Sequence, residues 1–395
     1  MIEDFTYYTP TKVVFGRGAE NKTGALVAEL GCKKVLLHYG GGSAERTGLL
    51  GRIRESLREA GVGFAELGGV VPNPRLSLVR EGIELCLRER ADFILAVGGG
   101  SVIDSAKAIG YGAADEERGD VWDFYARTRV PRACLPVGAV LTISAAGSEM
   151  SASSVITNEE TETKRGYGND ISRPKFAVMN PELTMTLPAY QTACGCTDIL
   201  MHTMERWFGG GGNMELTDGM AAALMRTVMR NARILMEKPG DYDARAEVMW
   251  AGSLSHNGLT GCGTDGGDWA THQLEHEIGA IFDVAHGAGL AAVWGSWARY
   301  VYKENPARFA KFAEEVMCVA RRATDEETAL AGIAAMEDFY REIKMPTTIR
   351  GLGIEPTEAQ LKEMAEKCES KFEGGVGTMK KLFAPDMEKI YRAAM

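Results

Sequence analysis

The sequence has no apolar run long enough to cross a bilayer, no CxxC pair, no excess of basic residues and few histidines. The first absence excludes a helical membrane span, which needs about 20 consecutive apolar residues. The formal charge of −10 argues against nucleic acid or an anionic membrane as partner. The eight cysteines are scattered, and the closest pair, Cys194-Gly-Cys196, is wrongly spaced for a zinc ribbon. The start, Met1-Ile-Glu-Asp-Phe5, has no basic region followed by an apolar stretch, so no signal peptide is expected. Together these features predict a cytoplasmic protein with reduced core thiols.

Five of the six histidines fall within residues 194–286. Asp198 and His202 are an i, i+4 pair in an apolar, helix-like run, so both side chains emerge on one helix face. His272 and His276 form a second such pair. With His286, the set Asp198, His202, His272 and His286 has the residue types of a divalent-metal site. His286 sets a condition. On an unbroken helix it would lie about 21 Å from His272, at 1.5 Å of rise per residue. Ligands of one ion sit about 2.0–2.1 Å from it, so the helix must end between the two histidines and the chain must fold back. Gly279, Asp283 and Gly287 are residue types that permit this.

A chain of 395 residues can bury two full cores. In the first half, short β-rich runs alternate with helical ones. Strands are expected at 11–15, 33–38, 93–97, within 131–142 and at 176–179, giving a parallel sheet with helices on both faces. From Pro188 onward the period is 3.6, with helical segments at about 190–208, 214–236, 241–257, 287–302, 306–322 and 325–343 and no convincing strand between them. The expected division is an α/β dinucleotide-binding domain at 1–187 and an all-helical metal- and substrate-binding domain at 188–395.

Two glycine turns follow predicted strands. Gly98-Gly99-Gly100-Ser101-Val-Ile-Asp104 joins a strand to a helix, where glycine lets the backbone approach a ligand and free N–H groups favour phosphate oxygens. It is not the GxGxxG fingerprint. Asp104, one turn into the helix, is either a first-turn carboxylate stabilised by the helix dipole or a holder of a polar ligand group. The earlier turn, Gly40-Gly41-Gly42-Ser43, suits the adenosine end of a dinucleotide. Where NAD-binding folds place an acidic residue on the ribose, this turn offers only glycines and a serine before Glu45 and Arg46. That favours NADP(H).

In order and spacing these motifs resemble the metal-dependent (iron-containing) alcohol dehydrogenase family, most nearly its NADP-linked butanol dehydrogenase and aldehyde reductase branch. The resemblance covers essentially the whole chain. It is carried by Thr9-Pro-Thr-Lys-Val-Val-Phe-Gly16, Val71-Pro-Asn-Pro74, Gly98-Gly-Gly-Ser-Val-Ile-Asp104 and Gly147-Ser-Glu149. Asn180-Pro-Glu-Leu-Thr184, Asp198 with His202, Gly266-Gly-Asp-Trp-Ala-Thr-His272 with His276, and Ala285-His286-Gly287 continue it. Two departures stand out: Ile143-Ser-Ala-Ala146 replaces a proline-containing run, and Asn180 replaces an aspartate.

The resemblance implies a dehydroquinate synthase-like architecture, with metal and nicotinamide in a cleft between the two domains. It makes Asp198, His202, His272 and His286 the ligands of one divalent ion, Fe(II) or Zn(II), with other metals possible. His276 would be either a catalytic proton relay or a packing histidine near the site. Gly99, Gly100 and Ser101 would hold the pyrophosphate, and Asp104 the nicotinamide carboxamide side. Thr142 and Lys164 match cofactor contacts, Asn73 and Ser153 match positions near cofactor and substrate, and Gly41, Gly42 and Ser43 take the place of an NAD-selecting aspartate. A homodimer is implied, with no nucleic-acid or membrane partner.

The expected reaction is reversible hydride transfer between NADP(H) and a small-to-medium aliphatic primary alcohol or aldehyde, butanol-like in size. Two alternatives share much of this pattern: a metal- and NAD-dependent cyclase of the dehydroquinate synthase type, and an NAD-linked polyol dehydrogenase. The cyclase needs basic residues around its metal, and 194–286 is poor in them.

Overall fold

The computed structural model describes residues 2–212 and 214–395. The chain divides into two compact units, Tyr8–Thr186 and Leu187–Met395, the second also taking the N-terminal residues through Tyr7.

The first unit holds β1 (Lys12–Phe15), β2 (Lys34–Gly40), β3 (Gly63–Val70), β4 (Phe93–Gly98), β5 (Val137–Leu141), β6 (Ser153–Asn158), β7 (Thr163–Gly168) and β8 (Phe176–Met179). Its helices are α1 (Thr23–Glu29), α2 (Ser43–Arg46), α3 (Leu49–Glu59), α4 (Leu76–Glu89), α5 (Gly100–Ala113) and α6 (Trp122–Tyr125). Six strands form one sheet in the order β1-β8-β5-β4-β2-β3, every pair parallel. The β4 and β5 strands are buried throughout, which is why they are continuous apolar runs rather than alternating ones. Val35, Leu37, Leu95 and Val97 pack with Leu26, Val27, Leu50, Ile53 and Leu57 of α1 and α3. The other face carries α4 and α5.

Strand order reverses about β2: the chain steps outward to β3, then returns to place β4 on the opposite side. The carboxyl ends of β2 and β4 are therefore neighbours at a topological switch point, where open α/β sheets bind ligands. Both glycine turns leave from those ends.

The expected strands form, and three unexpected ones join them. The β3 strand contains Gly63, Gly68 and Gly69, which a strand pattern disfavours. A Cβ at Gly68 would come within 2.4 Å of the Tyr39 ring, so one of these glycines makes room for a neighbouring strand. The hairpin β6–β7 is antiparallel and polar, without the apolar alternation that marks a half-buried strand.

The second unit consists of α7 (Ala189–Trp207), α8 (Glu215–Glu237), α9 (Tyr242–His256), α10 (Ala270–Phe282), α11 (His286–Val301), α12 (Pro306–Glu315), α13 (Asp325–Glu342), α14 (Glu358–Glu369) and α15 (Ala384–Ala393). The long predicted helices form with shifts of a residue or two, except that α12 stops at Glu315 rather than near 322. Just beyond it, Cys318 has φ 55°, a left-handed conformation that an α-helix cannot contain. The α10 helix is the one the His272/His276 pair implies, whereas α14 and α15 were not among the predicted segments. The α14 start does carry a readable signal, the Thr357/Gln360 capping box.

The core of this unit is rich in aromatics, with Trp207, Phe208, Trp294, Trp297, Phe309 and Phe312 packed together. Helix α7 runs through it in contact with α8, α9 and α11, and is buried from Gly195 through Trp207. Any polar side chain on that stretch must find a partner inside the protein.

Candidate metal centre

Asp198, His202 and Glu205 occupy positions i, i+4 and i+7 of α7, one stripe along the helix, and all three are buried. The α10 helix brings His272, Glu275 and His276 to the same region. Its start is anchored by Asp268, which accepts hydrogen bonds from the N–H groups of Ala270 (3.1 Å), Thr378 (2.7 Å) and Met379 (2.8 Å). It ends at Phe282, where Asp283 takes the left-handed conformation with φ 50°. Helix α11 then begins at His286. The chain break required by the His272/His286 spacing is thus made by Asp283. Gly279 stays inside α10, and its carbonyl accepts the Asp283 N–H at 3.1 Å.

Three imidazoles approach Oδ1 of Asp198; the ligand atoms of Asp198, His202 and His272 all lie within 4.8 Å of one another, while His286 groups in that way with Glu275 and His276. Nδ1 of His202 lies 3.6 Å from Asp198 Oδ1, Nε2 of His272 3.7 Å and Nε2 of His286 3.6 Å. These separations are too long for hydrogen bonds. Two bonds of about 2.1 Å meeting near the tetrahedral angle would set their donor atoms roughly 3.4 Å apart. Asp198 Oδ1, His202 Nδ1 and His272 Nε2 are buried with no hydrogen-bond partner among the described residues. Three such atoms facing one point would be costly, and a shared cation satisfies them together. The residues present therefore fit a divalent ion.

The electrostatics of the two buried rings point in opposite directions. Burial, reinforced by the neighbouring His256 and His272, drives His202 well below the ordinary histidine range, so its imidazole is neutral, as a ligand must be. At His272 burial also lowers, but Asp198 and Glu205 outweigh it and raise the group to about 9. Those carboxylates attract positive charge to the same point.

Other residues join the site that the spacing argument did not find. Glu205 Oε1 accepts from His272 Nδ1 at 2.9 Å, and Glu275 is hydrogen-bonded to His286 Nδ1. Each glutamate stands three residues after a candidate ligand, a spacing that was available in the sequence. The His256 ring lies 4.0 Å from that of His202, tilted by 39°. Its Nδ1 accepts from Arg206 at 3.3 Å, and the buried Arg206 guanidinium lies 4.7 Å from the Trp269 ring. His276 is buried with its ring 5.8 Å from that of His286.

The cofactor candidates lie in the α/β unit. Gly99 and Gly100 open α5, and a Cβ on either would meet Ile143 Cγ2 at 1.9 Å or Ala146 Cβ at 2.9 Å. The divergent run 143–146 is thus the wall against which this turn packs. Ser101 is in the first turn of α5, and the Thr142 N–H donates to Gly98 at 3.0 Å. Asp104 accepts from Ser148 Oγ (2.8 Å) and from the Val155 N–H (2.9 Å), tying α5 to β6. Ser153 begins β6, and the buried Lys164 lies in β7 opposite Thr157. Asn73 is buried in the loop after β3 with φ 54°. Gly41, Gly42 and Ser43 follow β2. A Cβ at Gly41 would meet nothing within 4 Å, whereas one at Gly42 would lie 2.7 Å from Arg46 Nη1. Glu45 is engaged by Arg54 at 2.9 Å.

Comparison with known proteins gives a consistent picture. The family described as iron-containing alcohol dehydrogenase matches residues 10–181, and the Fe-containing alcohol dehydrogenase C-terminal family matches residues 192–395. The chain is 40% identical to a probable NADH-dependent butanol dehydrogenase 1 of Bacillus subtilis (strain 168), over 100% of both chains. It is 33% identical to the NADPH-dependent aldehyde reductase YqhD of Escherichia coli (strain K12), over 92% of this chain and 94% of that one. The crystal structure of NADH-dependent butanol dehydrogenase A from Thermotoga maritima superimposes with a TM-score of 0.95 at 37% identity, covering 100% of this chain and 99% of the other.

Proposed function

The chain belongs to the iron-containing alcohol dehydrogenase family, and from that premise we propose that it interconverts small-to-medium aliphatic primary alcohols and aldehydes by hydride exchange with a nicotinamide. The observation that carries this reading is that Asp198, His202 and His272 offer ligand atoms within 4.8 Å of one another, all buried and unsatisfied, with His286 Nε2 3.6 Å from Asp198 Oδ1. Relatives named for butanol and for aldehydes support the substrate class.

Asp198, His202, His272 and His286 hold one divalent cation, Fe(II) or Zn(II). A carboxylate with three imidazoles suits either ion. When bound, the cation supplies Lewis acidity toward the substrate oxygen. Gly99, Gly100 and Ser101 receive the pyrophosphate at the start of α5, where backbone N–H groups and the helix dipole favour it. Asp104, Thr142, Asn73, Ser153 and Lys164 complete the cofactor and substrate surface. His276 takes the proton that the alcohol releases, a task suited to a histidine near the ligands.

The cofactor in this proposal is NADP(H). Gly41 leaves open space, Arg46 folds over Gly42, and Arg54 draws Glu45 to itself, so the turn presents no free carboxylate to a ribose phosphate. The relatives are named for both cofactors, which makes the choice a matter for direct assay. The working form is proposed to be a cytoplasmic homodimer, checked by light scattering on the purified protein.

The decisive experiment is elemental analysis of the purified protein beside absorbance at the reduced-nicotinamide band. Butanol and butanal are supplied with NADP(H) and, separately, with NAD(H). One equivalent of metal with butanal-dependent oxidation of NADPH is expected. A metal-free protein, or one inert with alcohols and aldehydes, overturns the reading.

A further inference from the structure

We propose that Glu205 and Glu275 are positioning residues that fix the metal-facing nitrogens of His272 and His286 and thereby set how tightly the cation is held. The proposal rests on the metal reading above. A single oxygen, Glu205 Oε1, accepts from both the Nδ1 (2.9 Å) and the backbone N–H (3.0 Å) of His272. That double contact fixes the ring relative to the start of its own helix. Glu275 is bonded to His286 Nδ1, and both glutamates are fully buried.

In a neutral imidazole one nitrogen donates and the other accepts. With Nδ1–H committed to a carboxylate, Nε2 of each ring carries the lone pair. It is Nε2 of both histidines that faces Asp198 Oδ1, at 3.7 and 3.6 Å. His202 differs: it turns Nδ1 toward Asp198, and its ring lies on His256, which in turn accepts from Arg206. Two of the three imidazoles are therefore oriented by charge and the third by packing.

The braces follow the order of the chain. Helix α7, which carries Asp198 and His202, supplies Glu205 to a histidine of α10. Helix α10 supplies Glu275 to a histidine of α11. The first two of the three helices that offer a donor to the cation each also fix the donor of the next, so α7, α10 and α11 are linked in series. A carboxylate on the far nitrogen also raises the basicity of the ligand, and losing such a partner typically costs 10–100-fold in metal affinity.

The test is the binding of Zn(II) and Co(II) to the metal-stripped protein, titrated against a chelator. Glu205→Gln and Glu275→Gln keep the size and a hydrogen-bond acceptor while removing the charge. Each is expected to weaken both ions by about 10–100-fold, with NADP(H) binding, read by fluorescence, unchanged. Affinities equal to the parent in both variants would overturn the proposal. The Co(II)-loaded parent provides a second measurement that needs no variant. Its proton spectrum should show two paramagnetically shifted, slowly exchanging imidazole N–H resonances, and their absence would also overturn it. A parent that binds neither ion would instead refute the metal reading itself.

Discussion

Gly287 lies against Cys194 so closely that a Cβ on it would come within 2.1 Å of the Cys194 carbonyl oxygen. Cys194 is one turn before Asp198 on α7, and Gly287 is the second residue of α11. The missing side chain lets the start of α11 rest on the α7 backbone, which brings Nε2 of His286 to 3.6 Å from Asp198 Oδ1. A glycine selected for close approach, rather than for an unusual φ, closes the fourth side of the site.

Gly287→Ala should therefore push α11 off α7. Overpacking of this kind costs about 1–3 kcal/mol, and His286 moves with its helix. A lower melting temperature and reduced metal content by elemental analysis are expected. Parent-like metal content would show that α11 reaches the site by some other means.

His272→Ala removes a donor and leaves Asp198 and Glu205 without their shared partner. Bound metal should be lost. Lewis-acid stabilisation is worth several kcal/mol, and each 1.36 kcal/mol is tenfold in rate, so kcat/KM for butanol should fall by about 10³ or more. Alcohol oxidation retained in a metal-free variant would contradict the assigned role of the cation.

His276→Asn separates proton handling from metal binding. If His276 takes the substrate proton, kcat should drop by about 10²-fold, the lower end of the range for general acid–base catalysis, while metal content stays at the parent value. Unchanged kcat would leave His276 a packing residue.

Gly41→Asp introduces a carboxylate where the turn now has open space. Preference should move from NADP toward NAD, because the new side chain repels a 2′-phosphate and can accept from a 2′-hydroxyl. The ratio of kcat/KM for the two cofactors is the measurement. An unchanged ratio would show that the ribose contacts a different loop.

Much of the site was legible because it depends on local periodicity. The Asp198/His202 and His272/His276 pairs are i, i+4 relations that any helix displays, and the turn at Asp283 follows from the distance two ligands of one ion can span. Glu205 and Glu275 were equally accessible at i+3 from a candidate histidine. A lone glutamate on a helix is ordinarily a solvated residue, however, and nothing local marks these two as buried. The β3 strand and the β6–β7 hairpin were illegible for the opposite reason: their glycines and polar residues serve neighbours that local patterning does not see.

The order of residues by itself determined the alternation of strands and helices, the glycine turns after β2 and β4, and the four candidate donors, since these follow from backbone chemistry over a few positions. Only the tertiary structure decided which nitrogen of each imidazole faces Asp198, which carboxylates hold the rings, and that His256 and Arg206 stand behind His202. Those choices depend on side chains far apart in the chain meeting where water is excluded, and there an unpaired polar atom is too costly to leave.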